Sequence, residues 1–164
     1  MNIVLIGMPG CGKSTVGVLL AKALLFDFID TDLILQSKYG DSLCNIIEKR
    51  GLDFFKKAEN EVLSDLKADN SVIATGGSAV YCKEGMKNLR LSGKIVYLKL
   101  LPDKISKRIH NIKTRGIAME TGYTINDLYT ERAPLYEHYS DITIDCTELG
   151  IEDCVLKIKN DLGL

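Results

Sequence analysis

One motif determines the class of fold, namely Gly7-Met8-Pro9-Gly10-Cys11-Gly12-Lys13-Ser14. It fits G-x-x-x-x-G-K-S/T at every fixed position. The apolar run Asn2–Ile6 before it predicts a buried strand, and residues 16–25 after it predict a buried helix. A glycine-rich turn in this context directs backbone N–H groups and the positive end of a helix dipole at phosphate. The sequence therefore predicts a P-loop that binds a nucleoside triphosphate.

Two side chains of the P-loop have separate expected roles. Lys13 supplies a positive charge to the outer phosphates, and the hydroxyl of Ser14 is a ligand for Mg²⁺, which bridges phosphate oxygens. The motif establishes the nucleotide but not the reaction. The residues expected to contact the nucleotide in this loop are Gly10, Cys11, Gly12, Lys13, Ser14 and Thr15.

Strand-like apolar runs alternate with helical patterns along the rest of the chain. Helical spacing covers residues 41–66 with a break near Gly51, Pro102 opens a further helix, and residues 151–162 predict the last one. This alternation predicts right-handed β-α-β units around a parallel sheet, with ligands beyond the carboxyl ends of its strands. The other predicted strands cover residues 26–29, 71–74, 95–98 and 142–144.

The composition fits one globular domain over residues 1–164. The chain is 46% hydrophobic and 26% charged, which excludes a disordered protein. Lys and Arg number 21 against 22 Asp and Glu, so the balance argues against general nucleic-acid binding and against binding to an anionic membrane surface. No apolar run approaches the ~20 residues of a membrane span, and the N-terminus does not resemble a signal peptide.

The cysteines indicate a reducing compartment. Their number, five, is odd and no pair has C-x-x-C spacing, so reduced thiols in the cytoplasm are expected rather than disulfides or a zinc site. Cys11 lies inside the P-loop, either as an inert small residue or as an accessible thiol.

Two carboxylates follow the predicted strand at residues 26–29. Residues two apart on an extended segment point to the same side, so Asp30 and Asp32 are expected to face one site. Asp30 is assigned to the metal's water shell. Asp32 is assigned to an acceptor hydroxyl, which it orients while the proton leaves late in a loose transition state. The alternative for Asp32 is that it caps a helix beginning near Leu33.

Further candidate residues lie in the second half of the chain. Gly76 and Gly77 follow the strand at residues 71–74 and either allow a ligand to approach the backbone or form an ordinary turn. Residues 111–123 contain few large apolar side chains and predict a mobile surface loop, either a lid or a flexible connection. The basic residues in separate segments, each of which alone fits a solvated surface group, are Lys56, Arg115 and Arg132.

The P-loop, Asp30-Thr31-Asp32, Gly76-Gly77 and Arg132-Ala133-Pro134-Leu135-Tyr136 occur in one order and spacing. Together they resemble the shikimate kinase family over nearly the whole chain. The resemblance implies an α/β three-layer sandwich with a five-stranded parallel sheet, flanking helices and a mobile lid at about 111–124. It also implies an acceptor-binding helical region at about 31–62.

The resemblance implies a reaction and a set of roles. The γ-phosphoryl of ATP passes to the 3-hydroxyl of shikimate, with Mg²⁺, in a monomeric cytoplasmic enzyme. Asp32 contacts the substrate hydroxyls as the base, Asp30 lies on the magnesium side, and Arg132 holds the shikimate carboxylate. Gly76 and Gly77 line the acceptor pocket.

The resemblance also assigns two further arginines. Arg115 reaches the phosphates from the lid and is counted as catalytic together with Lys13 and Asp32. Arg108 packs near the adenine.

Three segments depart from the family's pattern. The arginine of F-R-x-x-E is Lys56 here, which keeps the charge toward the acceptor but loses the bidentate fork. A third glycine is replaced by Ser78, and the lid's R-P-L-L reads R-G-I-A at residues 115–118, which adds flexibility. We therefore expect weaker shikimate binding than in a typical member.

Two other functions are considered. One is a kinase of the same fold that acts on another small polyol or hydroxy acid, such as gluconate. The other is a nucleotide-binding regulatory module without turnover. The residues whose retention argues against the regulatory module are Lys13, Ser14, Asp30, Asp32, Arg115 and Arg132.

Overall fold

A parallel sheet forms the centre of the molecule. The structure, a computed structural model, describes residues 1–109 and 116–164. Within these residues the sheet has five strands in the order β2-β3-β1-β4-β5, and every neighbouring pair is parallel. The strands are β1 (Asn2–Ile6), β2 (Asp27–Asp30), β3 (Ser71–Ala74), β4 (Gly93–Lys99) and β5 (Ile142–Asp145).

Helices cover both faces of this sheet. All five residues of β1 are buried, and successive side chains of a strand point to opposite faces, so neither face is open to solvent. The predicted three-layer α/β sandwich is confirmed. The helices are α1 (Lys13–Leu24), α2 (Thr31–Tyr39), α3 (Leu43–Arg50), α4 (Leu52–Asp65), α5 (Lys83–Ser92), α6 (Pro102–Arg108), α7 (Ile125–Tyr139) and α8 (Ile151–Leu162), with a 3-10 turn at Ala79–Tyr81.

A second, smaller apolar cluster lies apart from the main core. It is formed by side chains of α2, α3 and α4 together with Ala118. Gly51 separates α3 from α4 with φ of +84°, which is where the sequence predicts a break in the helical spacing. This region coincides with the predicted acceptor-binding helices at about 31–62, whose role stays a prediction. The buried members of the cluster are Leu35, Ile46, Phe55, Ala58, Val62 and Ala118.

The junction of β2 and α2 differs from the prediction. The helix begins at Thr31, and its N-cap is Asp30, whose Oδ1 accepts a hydrogen bond from the Asp32 backbone N–H at 3.0 Å. The capping alternative for Asp32 is therefore wrong. The predicted extended segment from Asp30 to Asp32 is wrong as well, because Asp32 lies in the first turn of α2.

Two further findings bear on the sequence predictions. No disulfide bond joins any of the five cysteines, all of which lie in the described residues, and Cys11 is only 2% exposed, so the accessible-thiol alternative for this residue is wrong. Across residues 1–109 and 116–164, no helix combines the length and the apolar character needed to cross a bilayer.

Candidate active site

The P-loop backbone adopts conformations that require glycine. Gly7, Gly10 and Gly12 have φ of +146°, +79° and +101°, a region that residues with a Cβ rarely occupy. Gly12 is also the N-cap of α1 and offers no side-chain oxygen to the first turn. The N–H groups of that turn, which have no acceptor within the helix, are therefore directed at an anion beyond β1.

Hydrogen bonds from the ammonium group of Lys13 to the P-loop backbone hold its side chain inside the loop. Its Nζ donates to the carbonyl oxygens of Gly7 at 2.8 Å and Met8 at 2.9 Å, and to Cys11 Sγ at 3.8 Å. The residue is only 8% exposed. A fixed positive charge thus lies among the backbone donors, which is the arrangement that a polyphosphate tail needs.

Ser14 and Asp30 form an oxygen pair beside the P-loop. Ser14 Oγ donates to Asp30 Oδ2 at 2.8 Å, while the other oxygen of the same carboxylate caps α2. Hydroxyl and carboxylate oxygens suit Mg²⁺, which takes few protein ligands and keeps phosphate and water oxygens for the rest. No cluster of three or more His, Cys, Asp or Glu suited to a metal occurs in the described part of the chain. The residues present thus fit Mg²⁺ held mainly by a nucleotide.

A cavity, here called the inner cavity, opens between the P-loop and the carboxyl ends of β2 and β3. Gly76 and Gly77 form one wall, and their predicted contact with an acceptor stays a prediction. Gly116, Ile117 and Ala118, which lie within the predicted lid, form another. The other lining residues are Pro9, Gly10, Gly12, Lys13, Ser14, Thr15, Asp32, Leu43, Phe55, Thr75, Ser78 and Arg132.

Arg132 reaches the inner cavity from α7 and is 1% exposed. Its Nη2 donates to the Ala118 carbonyl, and its Nε donates to the Tyr81 hydroxyl at 3.4 Å. Among the described residues, no carboxylate oxygen lies within 4.0 Å of its guanidinium nitrogens. Burying a cation without an anion is costly, so this position suits an anionic group of a ligand.

Glu59, on α4, is a buried carboxyl that the sequence analysis does not assign to the site. Ser78 Oγ donates to its Oε2 at 2.5 Å, whereas its Oε1 has no hydrogen-bond partner among the described residues. Burial raises the pKa of Glu59 to about 7, and the charge of Asp32 adds to the rise against the hydrogen bond from Ser78. A Cβ at Gly76 would lie 2.5 Å from Glu59 Oε1 and 2.9 Å from Asp32 Oδ1, so any larger residue would displace these two carboxylates.

Tyr136 links the wall formed by Gly76 and Gly77 to α7. Its hydroxyl donates to the Gly77 carbonyl at 2.6 Å, and its ring stacks on Tyr97 with centroids 5.0 Å apart. The sequence motifs predict no site role for this tyrosine. Tyr136 lies four residues after Arg132, which places both side chains on one helix face. This spacing is the sequence feature that could have predicted its place beside the site.

Lys56 does not line the inner cavity. Its Nζ lies 5.0 Å from the centroid of the Tyr81 ring, in a small neighbouring cavity that Arg132 also lines. The preceding residue, Phe55, lines the inner cavity instead. The acceptor-binding role of Lys56 stays a prediction.

A second cavity, here called the outer cavity, lies on the other side of the P-loop. Arg108 lines it, several apolar side chains provide a surface for a flat ring, and the contact of Arg108 with adenine stays a prediction. Arg115 lies outside the described residues, so its predicted contact with phosphate stays a prediction. The lining residues are Gly10, Cys11, Gly12, Thr15, Val16, Arg108, Cys146, Leu149, Ile151 and Cys154.

Comparison with known proteins places this geometry in a family. A sequence model of shikimate kinase matches residues 9–162. The chain belongs to the shikimate kinase family. The resemblance seen in the P-loop, the D-T-D segment, the glycine pair and the R-A-P-L-Y segment is thereby confirmed.

Individual members of the shikimate kinase family align over most of their length. The shikimate kinase of Caldanaerobacter subterraneus subsp. tengcongensis is 39% identical over 155 residues, which cover 93% of this chain and 90% of that protein. A shikimate kinase from Acinetobacter baumannii, solved in complex with shikimate, has a TM-score of 0.88 at 32% identity and covers 99% of this chain and 93% of that one. The shikimate kinase of Aquifex aeolicus has a TM-score of 0.85 at 34% identity, covering 99% and 96%.

Proposed function

We propose that this protein is an ATP-dependent shikimate kinase that transfers the γ-phosphoryl group of ATP to the 3-hydroxyl of shikimate. The observation that carries the proposal is the inner cavity, which Lys13 of the P-loop, the carboxylate of Asp32 and the buried Arg132 all line. No carboxylate oxygen of the described residues lies within 4.0 Å of the Arg132 guanidinium nitrogens. Shikimate offers a carboxylate for the arginine and hydroxyls for the aspartate. Membership of the family and the relative solved with shikimate bound support the same acceptor.

On the acceptor side, each group has a defined task. Arg132 binds the shikimate carboxylate in a buried setting, where a charged hydrogen bond is strong. The Gly76-Gly77 backbone allows the ring of shikimate to approach closely. Asp32 orients the reacting hydroxyl and accepts its proton late, because an alcohol is far less acidic than a carboxylic acid and the transition state is loose.

On the nucleotide side, the P-loop amides and Lys13 hold the β- and γ-phosphates, while the outer cavity with Arg108 receives the adenine. Ser14 and Asp30 would hold Mg²⁺, which neutralises charge on the phosphate oxygens when bound. We also assign to Arg115 a contact with the transferred phosphoryl group, on the basis of the family resemblance alone.

The cellular compartment and the oligomeric state of the enzyme are also part of the proposal. We place it in the cytoplasm, which five cysteines without a disulfide bond support, because a reducing compartment keeps thiols from oxidising to disulfides. We also propose that the enzyme acts as a monomer, to be checked by light scattering.

The decisive experiment measures ADP release from ATP and Mg²⁺ with shikimate, gluconate or a panel of polyols, using wild type and Asp32→Asn. We expect turnover with shikimate and a decrease in kcat of about 100-fold or more in the variant, with ATP binding retained. Normal turnover by Asp32→Asn would refute the assignment of the base. Turnover with gluconate alone would identify the other kinase, and ATP binding without product from any acceptor would identify a regulatory module.

A further inference from the structure

Tyr81 ends the 3-10 turn after the glycine pair, and its side chain contacts three charged groups. Its hydroxyl donates to Glu131 Oε1 and accepts a hydrogen bond from Arg132 Nε at 3.4 Å. The centroid of its ring lies 5.3 Å from Arg132 Cζ and 5.0 Å from Lys56 Nζ. Both cations assigned to the acceptor carboxylate by resemblance thus contact one aromatic ring.

The phenol stands between two opposite charges. Glu131 and Arg132 are neighbours in α7, where consecutive side chains point in different directions. Tyr81 contacts both of them, and Tyr123 OH donates to the other carboxylate oxygen of Glu131 at 3.2 Å. Burial and the hydrogen bond to Glu131 raise the pKa of Tyr81, so the phenol keeps the proton that it donates.

We infer that Tyr81 is a positioning residue that keeps Glu131 from pairing with Arg132 and so reserves the buried guanidinium for the carboxylate of the acceptor. The inference rests on the proposed function. The phenol gives Glu131 a hydrogen-bond donor of its own, and it gives Arg132 Nε an acceptor that carries no charge. Without the hydroxyl, Glu131 is close enough to turn toward the guanidinium, and an incoming carboxylate must displace it.

The ring of Tyr81 has a second task. Lys56 and Arg132 carry like charges, and both lie at distances at which an aromatic ring attracts a cation. The ring therefore stabilises both positive charges beside the inner cavity. This arrangement favours an acceptor that carries a negative charge over a neutral polyol.

The test compares four enzymes: wild type, Tyr81→Phe, Glu131→Gln and the double variant. Tyr81→Phe keeps the ring and removes the hydroxyl. We expect its KM for shikimate to rise about tenfold, because Glu131 then competes with the shikimate carboxylate for a charged hydrogen bond to Arg132. KM for ATP and kcat should stay within about twofold of wild type. Glu131→Gln alone should leave all constants near wild type. The double variant should recover the wild-type KM for shikimate, since the competing charge is absent.

The methyl ester of shikimate separates positioning from general damage to the fold. The ester has no negative charge, so wild type and Tyr81→Phe should use it with equal kcat/KM. An unchanged KM for shikimate in Tyr81→Phe, no recovery in the double variant, or an equal loss with the ester would each overturn the inference. Absence of shikimate phosphorylation by the wild type would instead refute the proposed function, on which this inference rests.

Discussion

At the scale of single residues, Glu59 has the most unusual environment. It is fully buried, and in the described part of the chain only its Oε2 has hydrogen-bond partners, namely Ser78 Oγ at 2.5 Å and Cys82 Sγ at 3.9 Å. Ser78 stands where the family's pattern has a third glycine, so this hydroxyl contact belongs to this chain's own sequence. A buried carboxyl with one oxygen unpartnered lowers stability once it ionises.

The raised pKa of Glu59 predicts a pH dependence of stability. The pKa is about 7 in the folded chain against 4.5 for the ordinary side chain, so the folded state binds more protons between these values. The free energy of unfolding contributed by this carboxyl therefore falls as the pH rises from 4.5 to 7. Glu59→Gln should lack this loss, amounting to at most about 3 kcal/mol, when urea unfolding of both proteins is followed at several pH values.

The matched control is Glu61→Gln, two residues along the same helix. Glu61 is exposed and pairs with Lys38 at 3.4 Å, so its substitution should leave the pH profile parallel to that of wild type. A Glu59→Gln profile that also runs parallel to wild type would contradict the assignment of the raised pKa.

At the scale of elements, the junction of β2 and α2 joins a structural and a functional role in one carboxylate. Asp30 caps α2 through Oδ1 and contacts Ser14 through Oδ2. Asparagine caps helices about as well as aspartate, but it has no negative charge for a metal. The two roles can therefore be separated by one substitution.

We expect Asp30→Asn to keep the free energy of unfolding within about 0.5 kcal/mol of wild type, because the cap is retained. The Mg²⁺ concentration for half-maximal rate should rise about tenfold, since second-sphere and direct carboxylates both strengthen metal binding. Titration of the kinase rate with Mg²⁺ at saturating substrates measures this.

Asp27→Asn serves as the control, since Asp27 is exposed at the opposite end of the same strand. An equal response of the two variants to Mg²⁺ would count against a metal role for Asp30.

The elements differ in how well the sequence predicts them. β1, β3 and α8 have the predicted limits, because buried parallel strands are continuous apolar runs and α8 has a regular apolar face. The start of α2 depends on a hydrogen bond between the Asp30 side chain and the backbone, which apolar spacing does not encode. No pattern predicts α5, which buries only Gly85, Met86 and Leu89.

At the scale of the whole molecule, site residues in local motifs are predicted from the sequence, whereas those that depend on distant contacts are not. The P-loop residues and the glycine pair follow short motifs, whose geometry is local. Glu59, Tyr81 and Tyr136 act through contacts with Ser78, α7 and Gly77, which lie far from them in the chain. Such contacts depend on how the helices pack, and no single segment of the sequence contains that information.

The burial of Arg132 predicts that replacing it increases the stability of the protein and abolishes shikimate binding. Its guanidinium is buried and has no ion-pair partner among residues 1–109 and 116–164, so Arg132→Met should raise the free energy of unfolding of the ligand-free protein by about 1 kcal/mol. Shikimate should raise the melting temperature of wild type but not of this variant, while ADP with Mg²⁺ should stabilise both. Thermal unfolding with each ligand tests the three expectations together.

Arg90→Met, an exposed arginine of α5, provides the comparison. It should leave the ligand-free stability and both ligand responses near wild type. Continued stabilisation of Arg132→Met by shikimate would show that the carboxylate binds elsewhere.

Gly10, Gly12 and Thr15 line both the inner and the outer cavity, so one short piece of backbone is all that separates them. A single compound that joins an adenosine-like group to a cyclohexene carboxylate through a short phosphate tether would span this backbone. Because the second half would bind at a high effective concentration once the first is seated, such a bisubstrate inhibitor would bind far more tightly than either half alone.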